Sequence, residues 1–127
     1  MTRVLFSIHP KFAELIIGGA KRYELRRCPP RRCDVDCFAI YATLPVGGVV
    51  AEGRIKGIVS LPPDDLWRIV GKDSGLEKPA YDEYFQGVTI AHAIELCDVE
   101  AFTRAVPLTE YAPALKRPPQ SFAYVES

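Results

Sequence analysis

Long hydrophobic runs are missing from this chain. No apolar stretch approaches the roughly 18 residues that argue a transmembrane helix. The start MTRVLFSIHP has neither a long apolar leader core nor a cleavage site, so the expected compartment is the cytoplasm. Histidine is scarce, with only His9 and His92, and no Ser/His/Asp constellation can be assembled around them. Gly-rich phosphate loops of the Walker or dinucleotide type are absent, so no cofactor is implied. Cysteines number four, but Cys28, Cys33 and Cys37 are spaced C-x4-C-x3-C rather than as the C-x2-C pair of a zinc ribbon. No metal is expected. Cys37 and Cys97, at the edges of apolar segments, read as reduced thiols behaving as small hydrophobes.

Net charge is also absent, since 16 Lys and Arg balance 16 Asp and Glu. The balance hides an asymmetry: residues 1–60 hold ten basic against five acidic side chains, and residues 61–127 hold six against eleven. Lys21, Arg22, Arg26, Arg27, Arg31 and Arg32 concentrate the basic excess. Such a cluster attracts phosphate or another anion through its local field, or it is simply a solvated hairpin. At 127 residues, 48% hydrophobic and 25% charged, the composition is that of one globular domain spanning 1–127, large enough for a core without staples.

Val4, Phe6 and Ile8 alternate with Leu5 and Ser7 as in a strand buried largely on both faces, and His9-Pro10 stops it. Pro10 suits a first helical position, Phe12, Leu15, Ile16 and Gly19 fall at helical spacing, and Gly18-Gly19 ends the helix. A second strand is expected from Lys21, a loop at Cys28–Arg32 with its two prolines, and a strand over CFAIYAT. Leu44-Pro45 and Gly47-Gly48 break that strand before a long one from Val49 to Leu61. There Val49, Ala51, Ile55 and Val59 share one face, with Gly53 and Gly57 as bulge or bend sites.

Pro62-Pro63-Asp64-Asp65 opens a helix carrying Leu66, Trp67 and Val70, with Trp67 read as core. A second helix covers Pro79 to Phe85. Separate strands are expected over Val88–Leu96 and Val99–Val106, and QSFAYV closes the chain. His92 shares parity with Val88, Ile90 and Ile94, which favours a structural imidazole. Strands flanking short helices point to an α+β fold, a curved mixed barrel rather than a parallel doubly wound sheet.

The stretch GGAKRYELRR carries the chemistry. Its alternation separates Glu24 and Arg26 from Tyr23 and Leu25, and the glycine pair sets Lys21 where its side chain can lean over a pocket. A lysine beside a carboxylate becomes a nucleophile or proton carrier only if burial or a neighbouring cation lowers its pKa, and Arg26 and Arg22 are the available cations. The plainer alternative is a Lys/Glu/Arg salt-bridge network that orders the segment. Tyr41 and Thr43 share a strand face and are candidates to line the same pocket. Tyr41 would stack on a base, or pack in the barrel with its hydroxyl bonded.

LFSIHPKFAELIIGGAKRYELRR, YATLPVGGVVAEGRI and PPQSFAYV together resemble the ASCH domains, small members of the PUA-like superfamily. Gly19, Lys21, Glu24 and Arg26 match the family's G-x-K-x-x-E-x-R signature, and Tyr41, Ala42, Thr43 and Pro45 match its Y-A-T/S-x-P turn. The resemblance implies a PUA-like curved β-barrel with short flanking helices and a cleft beside the signature for RNA or a nucleobase. It also implies that the tail returns near the cleft, which adds Ser121.

Some small ASCH proteins are amidohydrolases that deacylate N4-acetylcytidine through the signature lysine, and others are linked to RNA cleavage or to binding alone. Position 24 is glutamate here where the bacterial amidohydrolases carry threonine, and their later general-base glutamate has no aligned counterpart. Three readings follow. The first is a module binding RNA or a modified nucleotide or nucleoside through Lys21, Glu24, Arg26, Arg27, Tyr41, Thr43 and Ser121. The second is a metal-independent amidohydrolase of an N4-acylated cytidine, with Lys21 and Glu24 catalytic. The third is a scaffold domain using its acidic second half for protein contacts.

Overall fold

Strand β1 (Thr2–Ile8) is buried along most of its length because both of its faces are apolar: Val4, Phe6 and Ile8 pack into one cluster and Leu5 into another. The computed structural model describes residues 1–126. Helix α1 (Pro10–Ile17) follows directly. Proline opens it, the His9 side chain accepts from the Lys11 N–H at 3.1 Å, and Ala13 and Ile16 are its buried residues. The Gly18-Gly19 stop then delivers the chain to β2 (Tyr23–Arg26).

The basic segment is not a hairpin. Strand β2 pairs antiparallel with the distant β5 (Ala91–Val106), and Lys21 lies before the strand rather than in it. Strand β3 (Cys37–Ala42) is buried at all six positions and lies parallel to β1 and antiparallel to β4 (Gly48–Leu61). Strand β6 (Phe122–Glu126) returns the tail antiparallel to β1. The six strands form one mixed sheet in the order β2-β5-β4-β3-β1-β6. Helices α2 (Pro63–Val70), α3 (Lys78–Tyr84) and α4 (Leu108–Tyr111) flank it, with a 3-10 turn at Gly71–Asp73. Among the described residues, no helix is long and apolar enough to cross a membrane.

Two strand readings change. The two late strands are a single 16-residue strand, β5, that runs through Asp98 at φ 52° without ending there. In β4, Val50 is an extra residue against β3, where the adjacent Ile40 and Tyr41 face Ala51 and Val49, and the register against β5 shifts as well. Each extra residue rotates the following side chains relative to the partner strand. Val49 therefore packs with Leu5, Ala39 and Tyr41, whereas Ala51 packs with Phe6, Phe38 and Ile40. Strict alternation had placed the two together.

A third cluster lies where α2 and α3 cover the sheet, with Leu66, Val70, Tyr81 and Phe85 against Leu25, Ala91 and Ala93. Trp67 is half-buried there, 4.7 Å from the Tyr81 ring. Close approach fixes one residue of β4. A Cβ on Gly53 would stand 2.6 Å from Phe38 ring carbons and 2.9 Å from the Cys97 carbonyl oxygen. Gly53→Ala is therefore expected to destabilise the fold by about 1–3 kcal/mol, read as a lower urea midpoint at unchanged slope.

The curved mixed sheet with short flanking helices is the expected fold, with one refinement. Edges β2 and β6 share no ladder, so the sheet is barrel-like without being closed. A side chain spans the gap instead. Arg26 on β2 donates through Nη1 to Ser121 Oγ at 2.8 Å, just before β6, and through Nη2 to the Ser7 carbonyl of β1 at 3.3 Å.

Candidate functional site

Between α1, β2 and α3 opens a cleft of about 360 Å³, walled by Ile8, Phe12, Leu25, Leu76, Ala80 and Tyr84, with Lys21, Glu24 and Arg26 among its polar lining groups. Alternation along β2 explains the polar part of that lining. Glu24 pairs with Ile94 and Arg26 with His92 across the β5 ladder, so they share a face, while Leu25, opposite Ala93, joins the α2–α3 cluster.

Lys21 is only 4% exposed. Its Nζ donates to the Ser74 carbonyl, lies 3.7 Å from Glu24 Oε1 and sits 5.4 Å from the centre of the Phe12 ring. Burial pushes the Lys21 pKa below its usual value, Glu24 opposes that fall, and Arg26 adds to it. Arg22, the other expected cation, is instead exposed and 4.0 Å from Glu95.

Glu24 is buried between two cations, its Oε2 accepting from Arg26 Nη2 at 2.6 Å and its Oε1 paired with Lys21 Nζ across 3.7 Å. The Arg26 guanidinium stacks 5.1 Å from the Phe6 ring centre, and its Nε is buried with no hydrogen-bond partner. One connected array thus runs from the Ser74 carbonyl through Lys21, Glu24 and Arg26 to Ser121. Chemically it combines a cation disposed to release a proton, a carboxylate within reach of it, and a fixed guanidinium. Among the described residues, no group of three or more His, Cys, Asp or Glu could hold a metal ion.

The structure brings Lys21, Glu24, Arg26 and Ser121 together, Ser121 only through its bond to Arg26 and outside the cleft lining, and leaves three other candidates apart from this group. Tyr41 is 7% exposed and packed with Leu5, Ala39 and Val49. Alternation puts it on the sheet face opposite Phe38, Ile40 and Ala42, away from Glu24 and Arg26. Thr43 lies in the turn after β3, its N–H bonded to the Ile8 carbonyl at 3.0 Å. Arg27 has the parity of Leu25 and is exposed.

Other cleft residues had no site signal in the sequence. Phe12 reads as an ordinary apolar helix position. Ser74 contributes a backbone carbonyl, which no residue pattern announces. Tyr84 comes from α3, its hydroxyl donating to the Leu25 carbonyl at 3.3 Å.

Residues 6–102 match the ASCH domain family. An ASCH domain-containing ribonuclease from Zymomonas mobilis subsp. mobilis is 32% identical over 123 residues, covering 95% of this chain and 82% of the relative. The crystal structure of the Zymomonas mobilis ASCH protein superposes with a TM-score of 0.87 at 29% identity, covering 98% of this chain and 88% of that one. A serine-to-alanine variant of that protein gives a TM-score of 0.89 at 30% identity, covering 98% and 89%. With its signature lysine, glutamate and arginine joined in one cleft, and with this match over most of its length, the chain belongs to the ASCH domain family.

Proposed function

We propose that this ASCH domain binds single-stranded RNA and takes one nucleotide into the cleft. The observation that carries the reading is Lys21: a lysine buried to 4% exposure, beside a carboxylate, at the polar end of a largely apolar pocket. A cleft of about 360 Å³ falls at the lower end of the roughly 300–1,000 Å³ of small-molecule pockets. Apolar walls suit the faces of a base, while Lys21 and Arg26 donate to its carbonyl oxygens and Glu24 accepts from its amino group. Exposed Arg22, Arg27, Arg31 and Arg32 on the neighbouring surface suit the phosphate backbone. The ribonuclease relative from Zymomonas mobilis supports RNA as the partner.

A second reading, cleavage, is favoured by the proximity of Lys21 and Glu24. In it Glu24 takes the proton of a ribose 2′-hydroxyl as that oxygen bonds to phosphorus. Lys21 gives its proton to the departing 5′-oxygen, leaving a cyclic phosphate and a free 5′-hydroxyl. The same pair would serve amide hydrolysis of N4-acetylcytidine, and the ribonuclease relative favours the RNA reaction.

The test is fluorescence anisotropy with short labelled RNAs across a salt series, with the same samples resolved on a gel and a parallel incubation with N4-acetylcytidine followed by chromatography. Binding that weakens steadily with salt is expected. Flat anisotropy at low salt with intact RNA removes the RNA reading, and release of cytidine in that case transfers the site to the amidohydrolase.

A further inference from the structure

Beside the cleft, three side chains stand in a row across the strands. Arg26 of β2 lies opposite His92 of β5, and His92 lies opposite Ser60 of β4, so all three share one sheet face. Ser60 Oγ and His92 Nδ1 are 2.7 Å apart. We infer that His92, oriented by Ser60, and Arg31 from the loop after β2 form a phosphate subsite, which receives a phosphodiester flanking the nucleotide held in the cleft. The inference rests on the RNA reading of the cleft and deepens it by giving the strand a path.

Position and accessibility carry it first. Arg26 is both a lining residue of the cleft and the cross-strand neighbour of His92. Directly opposed side chains have Cβ atoms about 4.5–5.5 Å apart, so a phosphate on the held ribose reaches the imidazole. Parity with Ile94 points to a structural histidine, yet the two positions differ. Ile94 is fully buried, whereas His92 is half-buried and Ser60 is exposed.

Chemistry carries it further. Burial, and then the charge of Arg31, hold the His92 pKa below its usual value. A neutral imidazole that accepts the Ser60 hydroxyl at Nδ1 keeps its proton on Nε2, and Nε2 has no hydrogen-bond partner among the described residues. The loop places the cation. Its backbone N–H groups at Arg31 and Arg32 both donate to the Tyr124 hydroxyl at 3.1 Å. The loop carboxylates Asp34 and Asp36 are taken by Arg32 and Arg54, and exposed Arg31 makes no ion pair among the described residues. A free guanidinium facing a neutral N–H donor suits an anion.

His9 lines the cleft, and with His92 it completes the two histidines of the chain. Imidazole proton–nitrogen NMR spectra of the untagged full chain therefore read the two places separately. A single-stranded RNA of about eight nucleotides is expected to shift both rings and to raise the titration midpoint of His92, because a bound anion favours the imidazolium. The four nucleosides, which lack phosphate, should shift His9 alone. In anisotropy with the same RNA, labelled, His92→Asn keeps a partner for Ser60 but loses the Nε2 donor. It is expected to weaken binding about 2- to 12-fold at an unchanged urea midpoint, and the longer His92→Gln to recover part of the loss. Ser60→Ala should weaken binding less and redistribute the ring tautomers in the same spectra. Arg31→Ala should reduce the slope of log affinity against log salt by about 0.7.

RNA that shifts His9 but not His92, and binds His92→Asn and Arg31→Ala as well as wild type, overturns the subsite and leaves the cleft reading intact. Inorganic phosphate that shifts His92 where RNA does not makes it a free-phosphate site and overturns the link to the strand. RNA that moves neither ring removes both readings.

Discussion

Arg26→Met is expected to lower the stability of the fold by about 3–5 kcal/mol, the cost of removing one partner from a buried ion pair. The side chains of Arg26 and Glu24 are 11% and 10% exposed, so water does little to screen their 2.6 Å contact. Losing the guanidinium leaves the Glu24 carboxylate with Lys21 alone, at 3.7 Å. It also deprives Ser121 Oγ and the Ser7 carbonyl of their donor, which unties the two edges of the sheet from each other. A shift of the urea midpoint at constant slope measures the loss.

Arg26→Lys is expected to recover only part of the stability. An ammonium is a point charge and cannot serve Glu24, Ser7 and Ser121 in the fixed fork geometry of the guanidinium. Adding Glu24→Gln to Arg26→Met should restore part of it too, because the two residues interact directly and a double-mutant cycle reads that coupling. Exact additivity of the two changes would show that the pair does not act as a unit.

Lys21→Met is expected to separate function from folding. Methionine retains the unbranched stem against Phe12, so the stability should stay within about 1–2 kcal/mol of wild type: the lost hydrogen bond to Ser74 is offset by relief from burying a charge. RNA affinity should fall roughly 10- to 150-fold, the range of a hydrogen bond to a charged group. Any cleavage should fall about 10²- to 10⁴-fold, as when an acid–base group is removed.

The pH dependence of stability supplies an independent check on Lys21. Its folded pKa lies below 10.5, the value of a free lysine, so between those two values the unfolded chain binds more protons than the folded one. Stability contributed by this site therefore rises with pH across that window. Below the window the buried ammonium is charged in both states and its desolvation cost is fully present. Above it the amine is neutral in both states and the cost is gone. Wild type should gain stability relative to Lys21→Met as pH climbs toward 10.5, and parallel curves for the two would show that Lys21 is not desolvated in solution.

Much of this architecture is legible in the chain because it depends on neighbours. Pro10 and Gly18-Gly19 bracket α1, Pro63 opens α2, and the apolar run CFAIYA becomes a strand buried at every position. The two-residue period of β2 likewise assigns Glu24 and Arg26 to one face and Leu25 to the other. Tyr41 marks where such reasoning stops. Its shared parity with Thr43 was readable, but which sheet face the cleft would occupy was not, and it lies on the other side. The break placed between Leu96 and Val99 failed for a similar reason, since a single residue at positive φ bends a strand that β4 keeps paired on either side, at Cys97 and Glu100.

The amino-acid sequence by itself determined the order of the elements from β1 to α3 and the alternation of β2, set by local propensity, and it carried the signature that identifies the family. Only the tertiary structure decided that Lys21 is buried rather than leaning over a rim, because its desolvation comes from Phe12 and the Ser74 carbonyl, 53 residues further along. It also decided that Arg26 joins the edges of an open sheet, since that contact spans 95 residues. Burial and long-range pairing depend on how remote segments meet, and those meetings turn a basic run into a site.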